Sequence, residues 1–231
     1  MQFIDKKVLL FDLDGTLVDS VPDLALSVNY MLESLGRETY SVDTIRRWVG
    51  NGAETLVKRG LSGSTSIDET IEPQLVLKAL DIFLDFYGQN VSAESVAYPE
   101  VLDTLTTLKN RGYRLTIVTN KPITFVEPLL TSLGLYHLFE YCIGGDSLAQ
   151  KKPHPMPLIH ICEKLNISVE ECVMIGDSKN DILAAKGADM QSIAVSYGYN
   201  YGEDIAIYEP EAVVDSFDEI LEILALLKKQ G

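Results

Sequence analysis

Asp12-Leu13-Asp14-Gly15-Thr16 is the segment of this chain best equipped for chemistry. It follows directly on the apolar run Val8-Leu9-Leu10-Phe11. Residues two apart on an extended chain point to the same side, so Asp12 and Asp14 are set to face one space. Gly15 lets the backbone turn sharply behind them. Two carboxylates brought together cannot both ionise cheaply without a cation. Either a metal neutralises them or one holds a proton, and catalysis can use both states. An isolated Asp-x-Asp is more often a pair of solvated loop residues capping a helix. The buried run before it, and the motifs that follow, argue otherwise here.

Three more polar motifs follow or adjoin apolar runs. Thr119-Asn120-Lys121 brings a hydroxyl, an amide and an ammonium, the donors that phosphoryl oxygens need. Lys151-Lys152-Pro153-His154-Pro155 precedes a helical segment, and its prolines stiffen the loop around Lys152. Gly176-Asp177-Ser178-Lys179-Asn180-Asp181 adds two carboxylates four residues apart. Each motif alone reads as a turn or a helix cap. Four in this order, each at the end of an apolar run or the start of a helix, point to one constructed site.

The elements that must position them alternate. Segments 7–11, 114–119, 172–176, 191–196 and 212–215 are short and rich in Val, Ile and Leu, as strands covered on both faces are. Segment 141–143 is a weaker candidate for an edge strand. Amphipathic helices are predicted over 101–110, 125–132, 155–165, 179–186 and 216–228. The alternation predicts an α/β fold: a Rossmann-like parallel sheet with helices on both faces. From about residue 22 to 87 no strand is expected. Leu24, Val28, Met31, Leu32 and Leu35 form a stripe at helical spacing. Segments 55–61 and 71–86 are further helices, with a Gly/Ser-rich turn over 60–66. We therefore expect a core of residues 1–15 and 92–231, and an all-helical cap of residues 16–91 over the carboxyl ends of the strands, where open sheets bind ligands.

Composition narrows the function classes. The chain has 231 residues, 46% hydrophobic and 23% charged, within the range of a globular protein. Its net charge of −15 disfavours nucleic acid and anionic lipid. An anionic substrate would therefore need positive charge supplied locally. No stretch is long enough to cross a bilayer and the first apolar run is too short for a signal peptide, so the sequence predicts a cytoplasmic protein. Cys142, Cys162 and Cys172 read as small buried hydrophobes, not a disulfide frame or zinc site.

Taken together, these motifs resemble the haloacid dehalogenase-like hydrolase superfamily over essentially the whole chain. The helical block is similar to the cap of many members. Val118-Thr119-Asn120-Lys121-Pro122, Trp48-Val49-Gly50-Asn51-Gly52-Ala53 and Ser196-Tyr197-Gly198-Tyr199-Asn200 resemble the phosphoglycolate phosphatase subfamily. Gly187-Ala188-Asp189 departs from relatives that carry glycine at the last place. Asp tolerates a left-handed backbone well enough to stop a helix there.

The resemblance implies a phosphatase with an aspartyl-phosphate intermediate on Asp12. It implies Mg²⁺ held by Asp12, the Asp14 main-chain carbonyl and Asp177, with Asp181 behind them orienting waters or Lys152. Asp14 is implied as the general acid and base. Gly15, Thr16, Thr119, Asn120 and Lys152 are implied to bind the phosphoryl group. Dehalogenases of the superfamily lack the second Asp, because a halide leaves without a proton, so Asp14 favours a phosphate ester. The expected substrate is a small phosphorylated metabolite, with 2-phosphoglycolate the leading choice. Another small-molecule phosphatase, a pyrophosphatase, a sugar phosphomutase, or a non-catalytic phosphometabolite-binding protein are the alternatives. In the cap, Gly50-Asn51-Gly52 is expected to bring main-chain N–H groups to the substrate. Arg46, Arg47, Lys58 and Arg59 are candidates to read its carboxylate. Trp48 reads as cap core. Tyr197–Tyr201 fits either an oligomer interface or packing beside the site, and both monomer and homodimer stay open.

Overall fold

In the computed structural model, which describes residues 3–225, the first strand is the centre of the molecule. β1 (Val8–Phe11) is entirely apolar and entirely buried, so both its faces must be covered. The chain continues through β2 (Val18–Asp19), α1 (Val21–Ser34), α2 (Val42–Arg46), α3 (Ala53–Ser62), α4 (Pro73–Gln89), β3 (Val96–Ala97) and α5 (Val101–Asn110). It then alternates: β4 (Arg114–Val118), α6 (Val126–Ser132), β5 (Tyr141–Ile143), α7 (Met156–Leu165), β6 (Cys172–Gly176), α8 (Lys179–Gly187), β7 (Gln191–Val195), β8 (Ala212–Val214) and α9 (Ile220–Ala225). The three residues 226–228 of the last predicted helix lie outside the described residues.

Six strands form one parallel sheet in the order β5-β4-β1-β6-β7-β8. Successive units build outward from β1 on one side, then restart at β6 on the other. The reversal places a crevice at the carboxyl end of β1. The register is level there: Phe11 pairs with Ile117 on β4 and with Ile175 on β6. Three of the polar motifs therefore leave the sheet side by side.

Side chains alternate between two cores, as the period of a strand requires. Leu9, Phe11, Leu115, Ile117, Val173 and Ile175 pack with residues of α5, α6 and α9 on one face. Leu10, Val118 and Met174 pack with α7 and α8 on the other. Helix α8 ends where expected, with Asp189 just beyond it at φ 55°. Cys162 and Cys172 are buried with their sulfurs 3.6 Å apart, and Cys142 is only half-buried; all three are free thiols. No described helix is long and apolar enough to cross a membrane.

Helices α1–α4 pack on one another, with the predicted stripe of α1 inward: Leu24, Val28, Met31 and Leu32 are buried. The predicted turn over 60–66 begins later than expected. Gly60 lies inside α3, because its missing side chain admits close packing: a Cβ there would stand 3.2 Å from Val28 Cγ1. The chain turns instead at Gly63, with φ 63°.

One feature escapes periodicity altogether. Where the chain leaves the sheet region and where it returns, β2 and β3 form a two-stranded antiparallel ribbon, with Val18 opposite Ala97. Two residues per strand carry no readable pattern. Asp23, fully buried in the first turn of α1, ties the returning strand down. It accepts from the Glu94 and Ser95 amides, both at 2.9 Å, and from Ser95 Oγ at 2.6 Å. Asp23→Ala should strand these donors and cost about 2–4 kcal/mol in urea unfolding, with Asp23→Asn losing clearly less. Equal, small losses for both variants would show that the ribbon is held by other contacts.

Candidate active site

The residue after β1 is Asp12, whose amide still bonds across the sheet to the Ile175 carbonyl at 2.9 Å. Its carboxylate thus emerges at the crevice with a backbone held from both sides. The chain then folds tightly: the Leu13 carbonyl accepts from the amides of Thr16, Leu17 and Val18. Gly15 sits in this turn at φ 93°. A Cβ on it would lie 2.3 Å from Asp177 Oδ2, so no other residue fits. Gly198 presses on Asp177 from the opposite side, where a Cβ would come within 2.2 Å of the Asp177 Cβ. Asp177 is further fixed by Thr16 Oγ1, donating at 2.7 Å, and by the Tyr199 amide, donating at 2.6 Å.

Lys152 joins the carboxylates. Its side chain is 1% exposed and its Nζ lies 2.9 Å from Asp12 Oδ1 and 2.6 Å from Asp181 Oδ1. Asp181 in turn accepts from the Ser178 amide and hydroxyl through its other oxygen. Asp12 Oδ1, though close to the ammonium, is buried and receives no well-directed hydrogen bond. One oxygen each of Asp12, Asp177 and Asp181 lies within 4.8 Å of the others. Three carboxylates therefore crowd one buried space, with the Lys152 ammonium between two of them. Burial, opposed in part by Lys152, pushes the Asp12 carboxyl up to about 6, with Asp181 and Asp14 adding to the rise. Burial, then the charges of Asp12 and Asp181, raises Asp177 well above the usual carboxylate range. An all-oxygen donor set with excess negative charge and an orphaned oxygen fits a small hard divalent cation.

Asp14 reaches the same cavity with different company. Ser20 Oγ donates to its Oδ1 at 2.6 Å, and Lys121 Nζ stands 3.0 and 3.3 Å from its two oxygens. Its carboxylate is thus separate from the acidic trio, although Asp12 and Asp14 both line the cavity. Thr119 also lines it, and its Oγ1 accepts from the Lys121 amide. Asn120 bridges: its Nδ2 donates to the Gly50 and Lys152 carbonyls, both at 2.9 Å, and its Oδ1 is left without a partner.

The loop Gly50-Asn51-Gly52 lies against these residues in a way its composition did not indicate. Its carbonyls meet the far side. The Gly50 carbonyl accepts from Asn120 and Asn180, and the Asn51 carbonyl from Lys151 Nζ at 2.7 Å. Tyr201 donates to Asn51 Oδ1 at 2.8 Å. Gly50 and Gly52 line the cavity and Asn51 does not. Gly15 and Thr16 support Asp177 from outside the lining.

None of the four cap cations lines the cavity. Arg46 pairs with Asp19 at 3.2 Å and lies over the Tyr199 ring, Lys58 pairs with Glu54 at 2.6 Å, Arg59 donates to the Trp48 carbonyl, and Arg47 is exposed. Arg46, Lys58 and Arg59 are thus engaged within the helical block and its neighbours, while Arg47 is exposed and outside the cavity lining. Trp48 itself is buried core, edge-on to Tyr40. The residues that sequence reasoning passed over are Phe83, Tyr87, Phe125 and Gly198. Phe83 and Tyr87, four apart on α4, look like any hydrophobic stripe until the cavity they line is seen. The tyrosine-rich segment packs beside the site: Tyr197 donates to the Thr16 carbonyl at 2.8 Å, and Tyr199 donates to Asp19.

Comparison with known proteins agrees with this arrangement. The family model described as haloacid dehalogenase-like hydrolase matches residues 9–195. A phosphoglycolate phosphatase of Colwellia psychrerythraea is 56% identical over 221 residues, covering 96% of this chain and 98% of that protein. One of Psychrobacter arcticus is 48% identical over 222 residues, covering 96% of each. The crystal structure of a predicted phosphoglycolate phosphatase from Haemophilus somnus superposes with a TM-score of 0.88 at 38% identity, covering 96% of this chain and 99% of that one. With its sheet order, its buried carboxylates at the strand ends and a family match across most of its length, this chain belongs to the haloacid dehalogenase-like hydrolases.

Proposed function

We propose that this chain is a magnesium-dependent phosphatase that hydrolyses 2-phosphoglycolate to glycolate and phosphate through an aspartyl phosphate on Asp12. The observation that carries the reading is the buried trio Asp12, Asp177 and Asp181 around Lys152, at the carboxyl end of the central strand. The substrate rests on the names of relatives at 56% and 48% identity over nearly the whole chain.

A carboxylate and a phosphate dianion repel, so attack by Asp12 requires positive charge between and around them. Asp12, Asp177 and the Asp14 carbonyl would hold Mg²⁺, with Asp181 behind. Bound there, the cation supplies charge neutralisation for the attacking and transferring oxygens. Lys152 supplies a second positive charge, fixed by Asp181 so that it does not move as charge shifts. Thr119 and Asn120, on the neighbouring strand end, orient the phosphoryl group; Gly15 and Thr16 hold the turn and Asp177 in place. Asp14 protonates the leaving glycolate oxygen and then takes a proton from the water that attacks the aspartyl phosphate. Freed by that attack, phosphate leaves and Asp12 returns to its starting form. Helices of segment 16–91 serve as a cap on a core of residues 1–15 and 92–231. The loop at Gly50 and Gly52 excludes water while Asp12 carries phosphate.

Asp12→Asn should abolish release of phosphate from 2-phosphoglycolate, since an amide neither attacks phosphorus nor carries the intermediate. Asp14→Asn should lower kcat by about 10²–10⁴-fold while beryllium fluoride still binds. Activity surviving in the Asp12 variant would contradict the mechanism. Steady turnover with glucose 1-phosphate to glucose 6-phosphate would favour a mutase.

Magnesium should also stabilise the protein in a pH-dependent way. Below about pH 6 Asp12 holds a proton that a cation must displace, and above it Asp12 carries charge that the cation offsets; Asp177, whose carboxyl is also raised, acts in the same direction. Because these carboxyls are raised, the metal-free fold loses their favourable proton uptake as pH rises. The gain in Tm on adding MgCl₂ should therefore be larger at about pH 8 than at about pH 5.5, and EDTA should remove it. A gain independent of pH would argue that the ion binds elsewhere.

A further inference from the structure

The proposed chemistry of the site concerns the phosphoryl group and leaves unexplained what recognises the rest of the substrate. Of the expected readers in the helical block, Arg46, Lys58 and Arg59 are engaged elsewhere, and Arg47 is exposed and outside the cavity lining. Of the residues that line the cavity, the single cation is Lys121. Its side chain is 2% exposed, and an ammonium has three donors to place. Asp14 takes one direction, at 3.0 Å. Tyr87 lies on another side, its ring centroid 4.7 Å from Nζ. Tyr87 is 1% exposed, and its hydroxyl, whose polar neighbour is the Lys121 ammonium, makes no hydrogen bond of good geometry among the described residues. Such a buried, unpartnered hydroxyl is costly unless something else meets it. Burial pushes the Tyr87 phenol up to about 12, which keeps it a donor. The apolar part of the cavity wall is formed by Leu24, Leu56, Phe83 and Phe125, with the Phe83 and Phe125 rings 5.7 and 5.0 Å from that of Tyr87.

We propose that Lys121 and the Tyr87 hydroxyl together bind the carboxylate of the substrate and are the main determinants of its selection. This inference rests on the proposed substrate and adds the residues that choose it. The covalent structure of 2-phosphoglycolate explains the placement. A single CH₂ separates the ester oxygen from the carboxylate carbon. The group that holds the carboxylate must therefore stand next to the group that protonates the ester oxygen, and Lys121 stands within 3.3 Å of both Asp14 oxygens. Two donors, one charged and one neutral, match the two oxygens of a carboxylate. The apolar walls exclude water and strengthen the ion pair. A substrate with a hydroxyl in place of the carboxylate leaves the ammonium without its second anion. A longer or polyhydroxylated one meets Phe83 and Phe125.

The test compares kcat/KM for 2-phosphoglycolate with that for 2-hydroxyethyl phosphate, in which CH₂OH replaces the carboxylate. Wild type should prefer the acid strongly. Lys121→Met should reduce that preference by about 30–300-fold and Tyr87→Phe by about 3–10-fold, with glycolate inhibiting both variants more weakly than wild type. Both substrates falling by the same factor in Lys121→Met, with glycolate inhibition unchanged, would show that Lys121 serves Asp14 alone and would overturn the inference while leaving the proposed phosphatase intact. A wild-type protein with no preference for the acid would instead sink the choice of 2-phosphoglycolate, before any variant is compared. Should Lys121→Met fail to fold, Tyr87→Phe decides: it removes one oxygen from a packed ring, and an unchanged preference in it overturns the pairing.

Discussion

Three carboxylates and one ammonium, buried together at the end of the central strand, set the terms for the whole molecule. Asp12, Asp177 and Asp181 cannot all be charged around Lys152 without a further positive charge. In water such a cluster would disperse. Here it is held by constraints that leave no room to relax: a sheet hydrogen bond on the Asp12 amide, a helix-start box around Asp181, and two glycines that press on Asp177. The fold keeps the charges close, and in the proposed mechanism that frustration makes the site reactive toward a cation and a phosphate.

The sheet order explains why so few residues suffice. With β1 in the middle and β4 and β6 beside it, the motif that follows each strand is about one strand spacing from the next. Asp12, Thr119 and Asp177 come together although they are far apart in sequence. The acidity of the surface, a net charge of −15, then matters less than its local reversal: Lys152 and Lys121 are both buried and both face the cavity side of the sheet, each against a carboxylate of the first motif. The first pairs with Asp12 and the second with Asp14. That division of cations matches the division of labour we propose between phosphoryl transfer and departure of the leaving group.

Much of this was legible in the residues alone, for physical reasons. Strands buried on both faces are nearly pure runs of Val, Ile and Leu, so the sheet could be read from segments such as 172–176. Asp12, Lys152 and Asp177 could be found because each stands beside an apolar run or a proline-stiffened loop. The rest depends on contacts between distant segments. Gly198 reads as a turn glycine, yet it is required because Asp177 leaves no space for a Cβ. Phe83 and Tyr87 carry the same helical spacing as ordinary core, and Gly60 looks like a turn while allowing a close helix crossing. The loop at Gly50 also offers carbonyls to Asn120 and Asn180, which could not be read in advance, since the orientation of a peptide plane leaves no trace in composition. The arginines and lysines of the helical block were natural candidates for an anion, but Asp19, Glu54 and the Trp48 carbonyl hold Arg46, Lys58 and Arg59, and Arg47 lies exposed outside the cavity lining.

The central claim, that a divalent cation allows Asp12 to bond a phosphoryl centre within this acidic cluster, is tested most directly by a crystal structure of the protein with magnesium and beryllium fluoride. The account predicts beryllium bonded to a carboxylate oxygen of Asp12, the cation held by Asp12 and Asp177, and Lys152 donating to the fluorides. Beryllium on Asp14 or on no residue, with the trio of carboxylates turned apart and no cation between them, would contradict it.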